Sequence, residues 1–527
     1  MIRISCLALV LALAGCAQAP EAVTAKEFMV AAAHPLAAQA GVEMLGRGGS
    51  ALDAAVAVQM VLGLVEPQSS GIGGGAFLLH WSAKERRLTS YDGRETAPAA
   101  AKPDRFLDSQ GKPLPFMNAV VGGRSVGVPG VLRALEAAHR RHGRLPWNEL
   151  FAPAIRIAEQ GFEIPPRLRA ALAEEKFLRH PLFQDQQRIV NLEYAATLRT
   201  IAREGADAFY RGAIAADIVR AVRAHANPGD LTAEDLAGYR AIEREPVCGT
   251  YRAWRVCSMG PPSSGGVALL QILGVLERTP FTRAPPQSEA ALHYFVEAGR
   301  LAYADRARYL GDPDVVAVPV EKLLNSSYLK KRAALVSERS MGEAAAGDPE
   351  AGTSHFSIVD RAGNALAMTT TVESAFGSRI VVRGFLLNNQ LTDFDFTPGG
   401  ANQVGPGKRP RSSMAPTVVF KGEDLQVVIG SPGGAMIINY VAKTLVAKLD
   451  WGLDLQAAIA APNFGTRNGP LFLERGTPYE GLRAALEARG QRVEAVPLIS
   501  GLHGIERVSG GWRGGADPRR DGAAMGR

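Results

Sequence analysis

The hydrophobic positions in the first half of the chain recur mostly at helical spacing, with Gly and Pro between the segments. Residues 35–45 have this spacing and end at a run of glycines, whereas residues 51–65 are apolar on nearly every side. Asp53 and Gln59 interrupt the second run, which is also shorter than the ~20 residues of a membrane span, so it predicts a buried helix. The pattern predicts further helices over 131–141, 147–160, 193–203, 213–226, 266–278 and 289–309.

Alternating apolar and polar residues predict strands, which are sparse in the first half. Residues 354–359 and 365–372 alternate on either side of a turn-rich junction, which predicts a hairpin. Strands paired in a sheet, with helices from both halves on its faces, predict an α/β layered domain. The other predicted strands are 76–81, 88–91, 248–259, 380–387 and 425–429, and two more helices are expected over 436–448 and 455–461.

The segment before the hairpin has a different character. Residues 341–352 are small, contain GEAAAGDPEAG and show no apolar periodicity. Such a composition predicts an exposed, mobile loop.

Composition and charge exclude some classes of protein. The chain is 46% hydrophobic and 21% charged, which is typical of a globular protein. Its formal net charge is +7, but basic residues are intermixed with acidic ones and form no basic stripe. We therefore expect a mixed solvated surface and no nucleic-acid partner.

The first residues have the layout of a secretory signal: Arg3, an apolar run over 7–13, then Ala-Gly-Cys. The tetrapeptide ending at Cys16 resembles the lipobox of bacterial lipoproteins. That resemblance implies removal of residues 1–15, acylation of Cys16 and a lipid anchor in the cell envelope. Ala17, where an Asp could stand, favours a periplasm-facing protein of the outer membrane. Ordinary signal cleavage beside a coincidental cysteine is the alternative.

Two cysteines belong to the body of the protein. Cys248 and Cys257 flank an alternating segment that could turn back on itself, so an exported protein could form a disulfide there. Two buried free thiols are equally compatible with the sequence. The spacing does not match a metal site.

Residues 352–373, GTSHFSIVDRAGNALAMTTTVE, resemble the processing site of γ-glutamyltranspeptidases, which belong to the N-terminal-nucleophile hydrolase superfamily. The resemblance implies self-cleavage between Gly352 and Thr353, which divides the chain into a large subunit, 16–352, and a small subunit, 353–527. It also implies a four-layer αββα sandwich built from both halves. Cleavage would give Thr353 an α-amine with an ordinary pKa of about 7.7–8.0, a base suited to its own hydroxyl.

The same resemblance assigns the catalytic support. Thr371 corresponds to a second threonine that supports the nucleophile. Gly433 and Gly434, in GSPGG, correspond to the oxyanion hole, because backbone N–H groups at a helix start can stabilise a negative oxygen.

The resemblance also assigns the substrate-binding residues. Arg94, in DGRE, would bind the α-carboxylate of a glutamyl group, together with Ser412 and Ser413. Asp393 and Gln390 would bind the α-amine. Glu373 stands where the family often has Asn, and its carboxylate would accept from the same ammonium.

The implied function is cleavage of γ-glutamyl amides such as glutathione through a γ-glutamyl ester. Water, an amino acid or a short peptide would accept the acyl group, and neither a cofactor nor a metal is implied. A glutaryl-cephalosporin-type acylase is the nearest alternative, and we expect Asp393 to disfavour it because a carboxylate facing a neutral methylene would be unpaired. An uncut, non-catalytic envelope lipoprotein is the third hypothesis.

Overall fold

The computed structural model describes residues 21–184, 187–342 and 352–527. The predicted signal segment, Cys16 and most of the predicted loop over 341–352 lie outside these residues.

Most strands belong to two large sheets. One sheet has the order β21-β2-β10-β11-β3-β4-β7, and the other has the order β1-β20-β19-β15-β14-β9-β8. The strands of the described residues are β1 (Val23–Ala25), β2 (Met29–Ala32), β3 (Gly75–Ser82), β4 (Arg87–Gly93), β5 (Phe162–Glu163), β6 (Arg188–Ile189), β7 (Ile242–Arg244), β8 (Val247–Tyr251), β9 (Trp254–Ser258), β10 (Gly352–Val359), β11 (Ala365–Glu373), β12 (Val381–Val382), β13 (Phe385–Leu386), β14 (Thr417–Lys421), β15 (Asp424–Gly430), β16 (Phe464–Gly465), β17 (Leu471–Glu474), β18 (Val493–Val496), β19 (His503–Val508), β20 (Gly511–Ala516) and β21 (Ala523–Gly526).

Helices cover the outer faces of the sheets. None of them, within the described ranges, combines the length and apolar composition that a bilayer crossing requires. They are α1 (Pro35–Gly46), α2 (Ala51–Val65), α3 (Phe116–Val120), α4 (Val131–His142), α5 (Ala152–Gln160), α6 (Pro166–Glu174), α7 (Leu192–Glu204), α8 (Asp207–Tyr210), α9 (Gly212–Ala224), α10 (Ala233–Gly238), α11 (Gly265–Leu276), α12 (Glu289–Tyr309), α13 (Val320–Leu324), α14 (Ser326–Ala333), α15 (Ile437–Leu449), α16 (Leu455–Ala460) and α17 (Arg483–Ala488).

The layering follows from the side chains of β10 and β11, because successive side chains of a strand point to opposite faces of the sheet. Phe356, Leu366 and Met368 pack into a core shared with α1, α2 and α4. Ala365 and Ala367 point the other way, into a core shared with the second sheet, α11, α12 and α15. The order of layers is therefore helices, sheet, sheet, helices, which confirms the four-layer αββα sandwich.

The sequence of α2 explains why this segment forms a buried helix. The Ser50 side chain accepts from the Asp53 amide while the Asp53 side chain accepts from the Ser50 amide, so the first turn is capped on both sides. Nearly every residue of the helix is buried, as its apolar composition predicts.

Two predicted elements differ from the structure. The segment 147–160 is a 3-10 turn, Trp147–Phe151, followed by α5 rather than one helix. The predicted strand over 380–387 is a tight hairpin of β12 and β13. Arg383 and Gly384 both have positive φ, 45° and 83°, and two such residues form the turn that reverses a hairpin.

The segment 248–259 does turn on itself, as β8 and β9, and this decides between the two cysteine hypotheses. Cys248 lies directly opposite Cys257 in the ladder, and the two are joined by a disulfide. Cys257 is fully buried whereas Cys248 is exposed, so the hypothesis of two buried free thiols is wrong.

Two glycines at the start of β3, Gly74 and Gly75, allow close approaches to β11 and to Glu95. An added Cβ at Gly74 would lie 2.0 Å from the Thr371 carbonyl oxygen, and one at Gly75 would lie 2.2 Å from a Glu95 carboxylate oxygen. Both distances are far below van der Waals contact. These glycines therefore fix how tightly β3 packs beside Thr371.

We predict that Gly74→Ala destabilises the protein by about 1–3 kcal/mol or more, because the new methyl group meets backbone that cannot rotate away. Gly46→Ala is the matched control, because nothing lies within 4 Å of its added Cβ. Thermal unfolding of both variants measures the effect. Equal melting temperatures for the two variants would show that Gly74 is not a packing constraint.

Candidate active site

Thr353 lies near the start of β10, which is central in its sheet. Its side chain is almost fully buried, and it pairs with Thr371 on β11, whereas Gly352 pairs with Glu373. The ladder therefore skips Val372, and this irregularity falls at the peptide bond before Thr353. Such bulges bend a strand and redirect its side chains, and they are common beside active sites.

One pocket beside Thr353 brings most of the predicted site residues together. Glu373 does not line it, and Gly433 lines an adjoining cavity instead. The pocket also contains residues that the sequence did not indicate: Arg306, Met414, Ala435 and Ile437. The predicted residues that line it are Arg94, Thr353, Thr371, Gln390, Asp393, Ser412, Ser413 and Gly434.

Arg94 is held rigidly on one side of this pocket. Its Nε donates to the Pro410 carbonyl at 3.0 Å, and its Nη2 donates to the Arg411 carbonyl at 3.1 Å and to Asp393 at 2.5 Å. Nη1 forms no hydrogen bond within the described residues and lies 3.7 Å from the Glu95 carboxylate. That nitrogen is the group left to bind an incoming carboxylate.

Arg306 adds a second guanidinium to the pocket. Its Nε donates to the Ser264 hydroxyl and its Nη2 donates to the Ser413 hydroxyl, both at 2.8 Å. No carboxylate of the described residues lies within ion-pair distance of it, and burial lowers the pKa of Arg306 to about 10. Sequence reasoning missed this residue, because an arginine on a long helix gives no local sign that it faces a pocket on another element.

Beside Arg94 the pocket also holds hydrogen-bond acceptors. The Gln390 Nε2 donates to Asp393 at 2.7 Å, which orients the amide because a carboxylate can only accept. The other end of that amide, Oε1, is buried and has no partner within the described residues. It is an unsatisfied acceptor pointing at no protein donor, and such a group is stabilised by an ammonium.

Glu373 lies behind these acceptors in a strained position. Its backbone φ is +81°, and its carboxylate accepts from Ser374 and Asn389. Burial, and secondarily the charge of Asp393, raise the pKa of Glu373 to about 8. A positive ligand beside it would favour the ionised form.

The pairing of Asp393 corrects one expectation from the sequence. Its carboxylate already accepts from both Arg94 and Gln390, so it is not left unpaired when the ligand lacks an amine. An unpaired carboxylate at Asp393 is therefore not a reason against a glutaryl ligand. The group that a glutaryl ligand would leave without a donor is Gln390 Oε1.

Gly433 caps a 3-10 turn, Gly434–Met436, that leads into α15. Gly433 and Gly434 both have positive φ, 125° and 55°. An added Cβ at Gly433 would lie 2.6 Å from the Tyr440 ring. Within the described residues, neither of the two amides donates a hydrogen bond. Two unused N–H groups at a helix start suit an oxyanion.

A polar network surrounds the nucleophile. Ser354 donates to Glu66, which also accepts from Arg167 at 2.9 Å. Arg520 donates to the Thr353 carbonyl at 3.1 Å, a contact that the sequence did not predict. These groups fix the backbone on which the threonine hydroxyl is carried.

The chain is similar to known proteins over nearly its whole length. A glutathione hydrolase proenzyme from Bacillus subtilis (strain 168) is 38% identical over 541 residues, covering 95% of this chain and 92% of that protein. A protein of the same name from Escherichia coli (strain K12) is 38% identical over 535 residues, covering 94% and 91%. The crystal structure of a cephalosporin acylase from Bacillus halodurans is 29% identical with a TM-score of 0.86, covering 100% of this chain and 99% of that chain.

The family assignment follows from the extent of these matches. The family model described as Gamma-glutamyltranspeptidase matches residues 37–527, which is nearly the whole of the described chain. The chain belongs to the gamma-glutamyltranspeptidase family.

Proposed function

We propose that this enzyme cleaves γ-glutamyl amides, with glutathione as a donor, and transfers the γ-glutamyl group to water or to the amine of an amino acid or short peptide. The observation that carries the proposal is the mixed chemistry of the pocket. Arg94 and Arg306 supply cationic donors, and Asp393 and the unpartnered Gln390 Oε1 supply acceptors. An α-amino acid carries both a carboxylate and an ammonium and so matches both kinds of group.

In the proposed mechanism the Thr353 hydroxyl oxygen attacks the γ-carbonyl carbon while the Thr353 α-amine takes the hydroxyl proton. The amides of Gly433 and Gly434 donate to the resulting oxyanion. The C–N bond then breaks, and the ammonium of Thr353 returns the proton to the leaving amine. A water molecule or an acceptor amine attacks the γ-glutamyl ester by the same route and restores the free hydroxyl.

The α-amine requires a cut between Gly352 and Thr353, giving subunits 16–352 and 353–527. The bulge in the β10–β11 ladder at this bond supports the proposal, and both relatives are named proenzymes. Both large sheets combine strands from each side of the cut. The two subunits would therefore remain joined as a heterodimer after cleavage.

A cephalosporin-type acylase is the second candidate, and the similarity to the Bacillus halodurans acylase favours it. The same nucleophile, cut and oxyanion hole serve both reactions. The unpartnered acceptor Gln390 Oε1 favours the γ-glutamyl substrate, because a glutaryl group has no donor for it.

We also propose that the mature enzyme begins at Cys16 and is held by lipid at a periplasm-facing membrane surface, with the outer membrane favoured. The support is the signal layout and the lipobox-like LAGC. Acyl chains would anchor the protein without a transmembrane helix.

We predict that intact mass analysis of the purified protein finds two chains, one spanning 353–527 and one starting at lipid-modified Cys16. Thr353→Ala should remain one uncut chain, and Thr353→Ser should still be cut because it keeps a hydroxyl. An active preparation without a chain starting TSHFS would refute the mechanism. An unmodified large subunit would refute only the anchor.

We predict that Gln390→Met lowers kcat/KM for a γ-glutamyl anilide by about 10- to 100-fold, because it removes an acceptor for a charged donor. The rate on a glutaryl anilide should change far less, so the ratio of the two rates reports on the α-amine. Gln403→Met is the control, because Gln403 does not line the pocket. Equal losses on both anilides would contradict the assigned role of Gln390.

Because of Glu373, we expect the stability of the folded protein and the binding of the substrate to depend on pH in opposite directions. Its pKa is about 8 in the folded protein and 4.5 ordinarily, so the stability of the folded state falls as the pH rises from about 4.5 through 8. The ionised form binds an ammonium better, so kcat/KM for the γ-glutamyl anilide should rise over the upper part of that range.

We therefore predict that Glu373→Gln melts closer to the wild-type temperature at pH 5 than at pH 8.5, where the variant should be the more stable protein. The same variant should raise KM for the γ-glutamyl anilide at pH 8.5. Thermal melts at both pH values test this, with the exposed Glu321→Gln as control. A constant difference in melting temperature would show that Glu373 has an ordinary pKa.

A further inference from the structure

The 3-10 turn that leads into α15 is attached to a helix from the other half of the chain. The Tyr303 hydroxyl, on α12, donates to the Ala435 carbonyl oxygen. Ala435 directly follows Gly433 and Gly434 in the sequence. The Met436 amide donates to the Gly433 carbonyl at 3.1 Å. An internal hydrogen bond and a hydrogen bond from α12 therefore both hold the turn on which the two glycine amides lie.

A chain of hydrogen bonds fixes the direction in which the Tyr303 proton points. The Thr466 amide donates to Asn439 Oδ1 at 3.3 Å, and because a backbone amide can only donate, this contact fixes the orientation of the Asn439 side chain. Asn439 Nδ2 then donates to the Tyr303 hydroxyl oxygen and to the Thr466 carbonyl, both at 2.9 Å. The Tyr303 oxygen thus accepts from Asn439, and its single proton is left for the Ala435 carbonyl.

The surroundings of Tyr303 keep this hydrogen bond away from water. Tyr303 and Asn439 are both buried. Burial raises the pKa of Tyr303, so the hydroxyl stays protonated and remains a donor. Tyr303 is not among the described residues that line the pocket beside Thr353 or the cavity that adjoins it. The hydroxyl can therefore affect a ligand only through the turn that it holds.

The same face of α12 also contacts the other end of the pocket. Arg306 follows Tyr303 by three residues, a separation of about 4.5 Å along the helix axis, and residues at this spacing share a face. Its Nη2 donates to the Ser413 hydroxyl at 2.8 Å. In the proposed function Ser413 binds the α-carboxylate and the glycine turn binds the γ-carbonyl oxygen. One rigid helix face therefore contacts the protein groups at both ends of the glutamyl group.

We propose that Tyr303 is a positioning residue of the oxyanion hole: its hydroxyl holds the Ala435 carbonyl so that the Gly433 and Gly434 amides face the developing oxyanion. The inference rests on the proposed function. Donors that are already oriented stabilise a developing charge without rearrangement, so a turn that is held less firmly stabilises the tetrahedral intermediate less. Tyr303 precedes the proposed cut and Ala435 follows it. The large subunit would thus orient the oxyanion hole of the small subunit.

Tyr303→Phe tests the proposal, because it removes the hydroxyl and keeps the ring. We expect kcat for γ-glutamyl-4-nitroanilide to fall about tenfold while KM changes by less than about twofold, since the oxyanion forms only during the reaction. A residue that merely supported the shape of the pocket would change KM as well.

Two competitive inhibitors separate the same effects in binding. In 2-amino-4-boronobutanoate a boronic acid replaces the γ-carboxyl group; the Thr353 hydroxyl oxygen forms a bond to boron while its proton passes to the α-amine, and no other bond breaks. The product is an anionic tetrahedral adduct that resembles the intermediate. Norvaline has the same α-amino acid group and no oxygen for the glycine amides. We expect Tyr303→Phe to weaken inhibition by the boronate about tenfold and inhibition by norvaline less than about twofold.

Tyr194→Phe is the matched control. The buried Tyr194 hydroxyl also donates to a backbone carbonyl, that of Met60 at 3.2 Å, but it lies in the other hydrophobic core. Its ratio of the two inhibition constants should equal that of the wild type. Asn439→Asp is a second variant that keeps Tyr303: its carboxylate competes with the Ala435 carbonyl for the Tyr303 proton, so the ratio should change in the same direction as in Tyr303→Phe.

Both inhibition constants are measured on active, cut enzyme, so a lower yield of folded protein does not alter them. A wild-type ratio in Tyr303→Phe, or equal weakening of both inhibitors, would overturn this inference alone. If Tyr303→Phe gives no cut protein, the ratio in Asn439→Asp decides by the same criterion. A cut wild-type enzyme that neither cleaves the anilide nor binds either inhibitor would overturn the proposed function as well.

Discussion

The pairing of β10 with β11 is the constraint on which the rest of the structure depends. It places Thr353 opposite Thr371 in the middle of a sheet, with the ladder interrupted at the bond before Thr353. The strands that flank this hairpin, β2 and β3, precede residue 352, so the nucleophile is supported on both sides by the other half of the chain. A cut at this bond would free one end of β10 while the ladder hydrogen bonds continue to hold the strand. The precursor fold is thus already the fold of the proposed active enzyme.

The pocket beside Thr353 shows how buried charges can be held ready for a ligand. Burying a charge is costly unless it is paired, and Arg94 and Asp393 satisfy this condition by pairing with each other. Next to this pair, Nη1 of Arg94 and Oε1 of Gln390 have no hydrogen-bond partner within the described residues. A ligand with a carboxylate and an ammonium would give both groups a hydrogen-bond partner without separating the ion pair of Arg94 and Asp393. The proposed specificity of the pocket therefore depends on these two groups without a hydrogen-bond partner more than on the paired charges of Arg94 and Asp393.

Sequence patterns were sufficient to predict the elements that are determined by their own and adjacent residues. The hairpin over 354–372 alternates on both sides of a turn, and α2 carries its own capping residues, so both were predicted and confirmed. The predicted strand over 380–387 was wrong, because its turn depends on positive φ at Arg383 and Gly384 that composition does not reveal. Motifs also indicated Arg94, Asp393 and the glycine pair. Arg306 and Arg520 reach the site from distant elements, and no local pattern distinguishes them from the other arginines of the chain.

The two glycines that lead into α15 border two cavities, and the side chains that line these cavities differ. Arg94, Arg306 and Gln390 line the pocket that contains Thr353, whereas Arg467, Arg520 and an apolar wall line the neighbouring cavity. In the proposed mechanism only the threonine and the glycine amides contact the reacting bond. The other side chains of the pocket can therefore change while the chemistry stays the same. An acylase and a γ-glutamyl hydrolase can then share this fold and this nucleophile, and the proposed difference between them lies in whether the ligand supplies a donor for Gln390 Oε1.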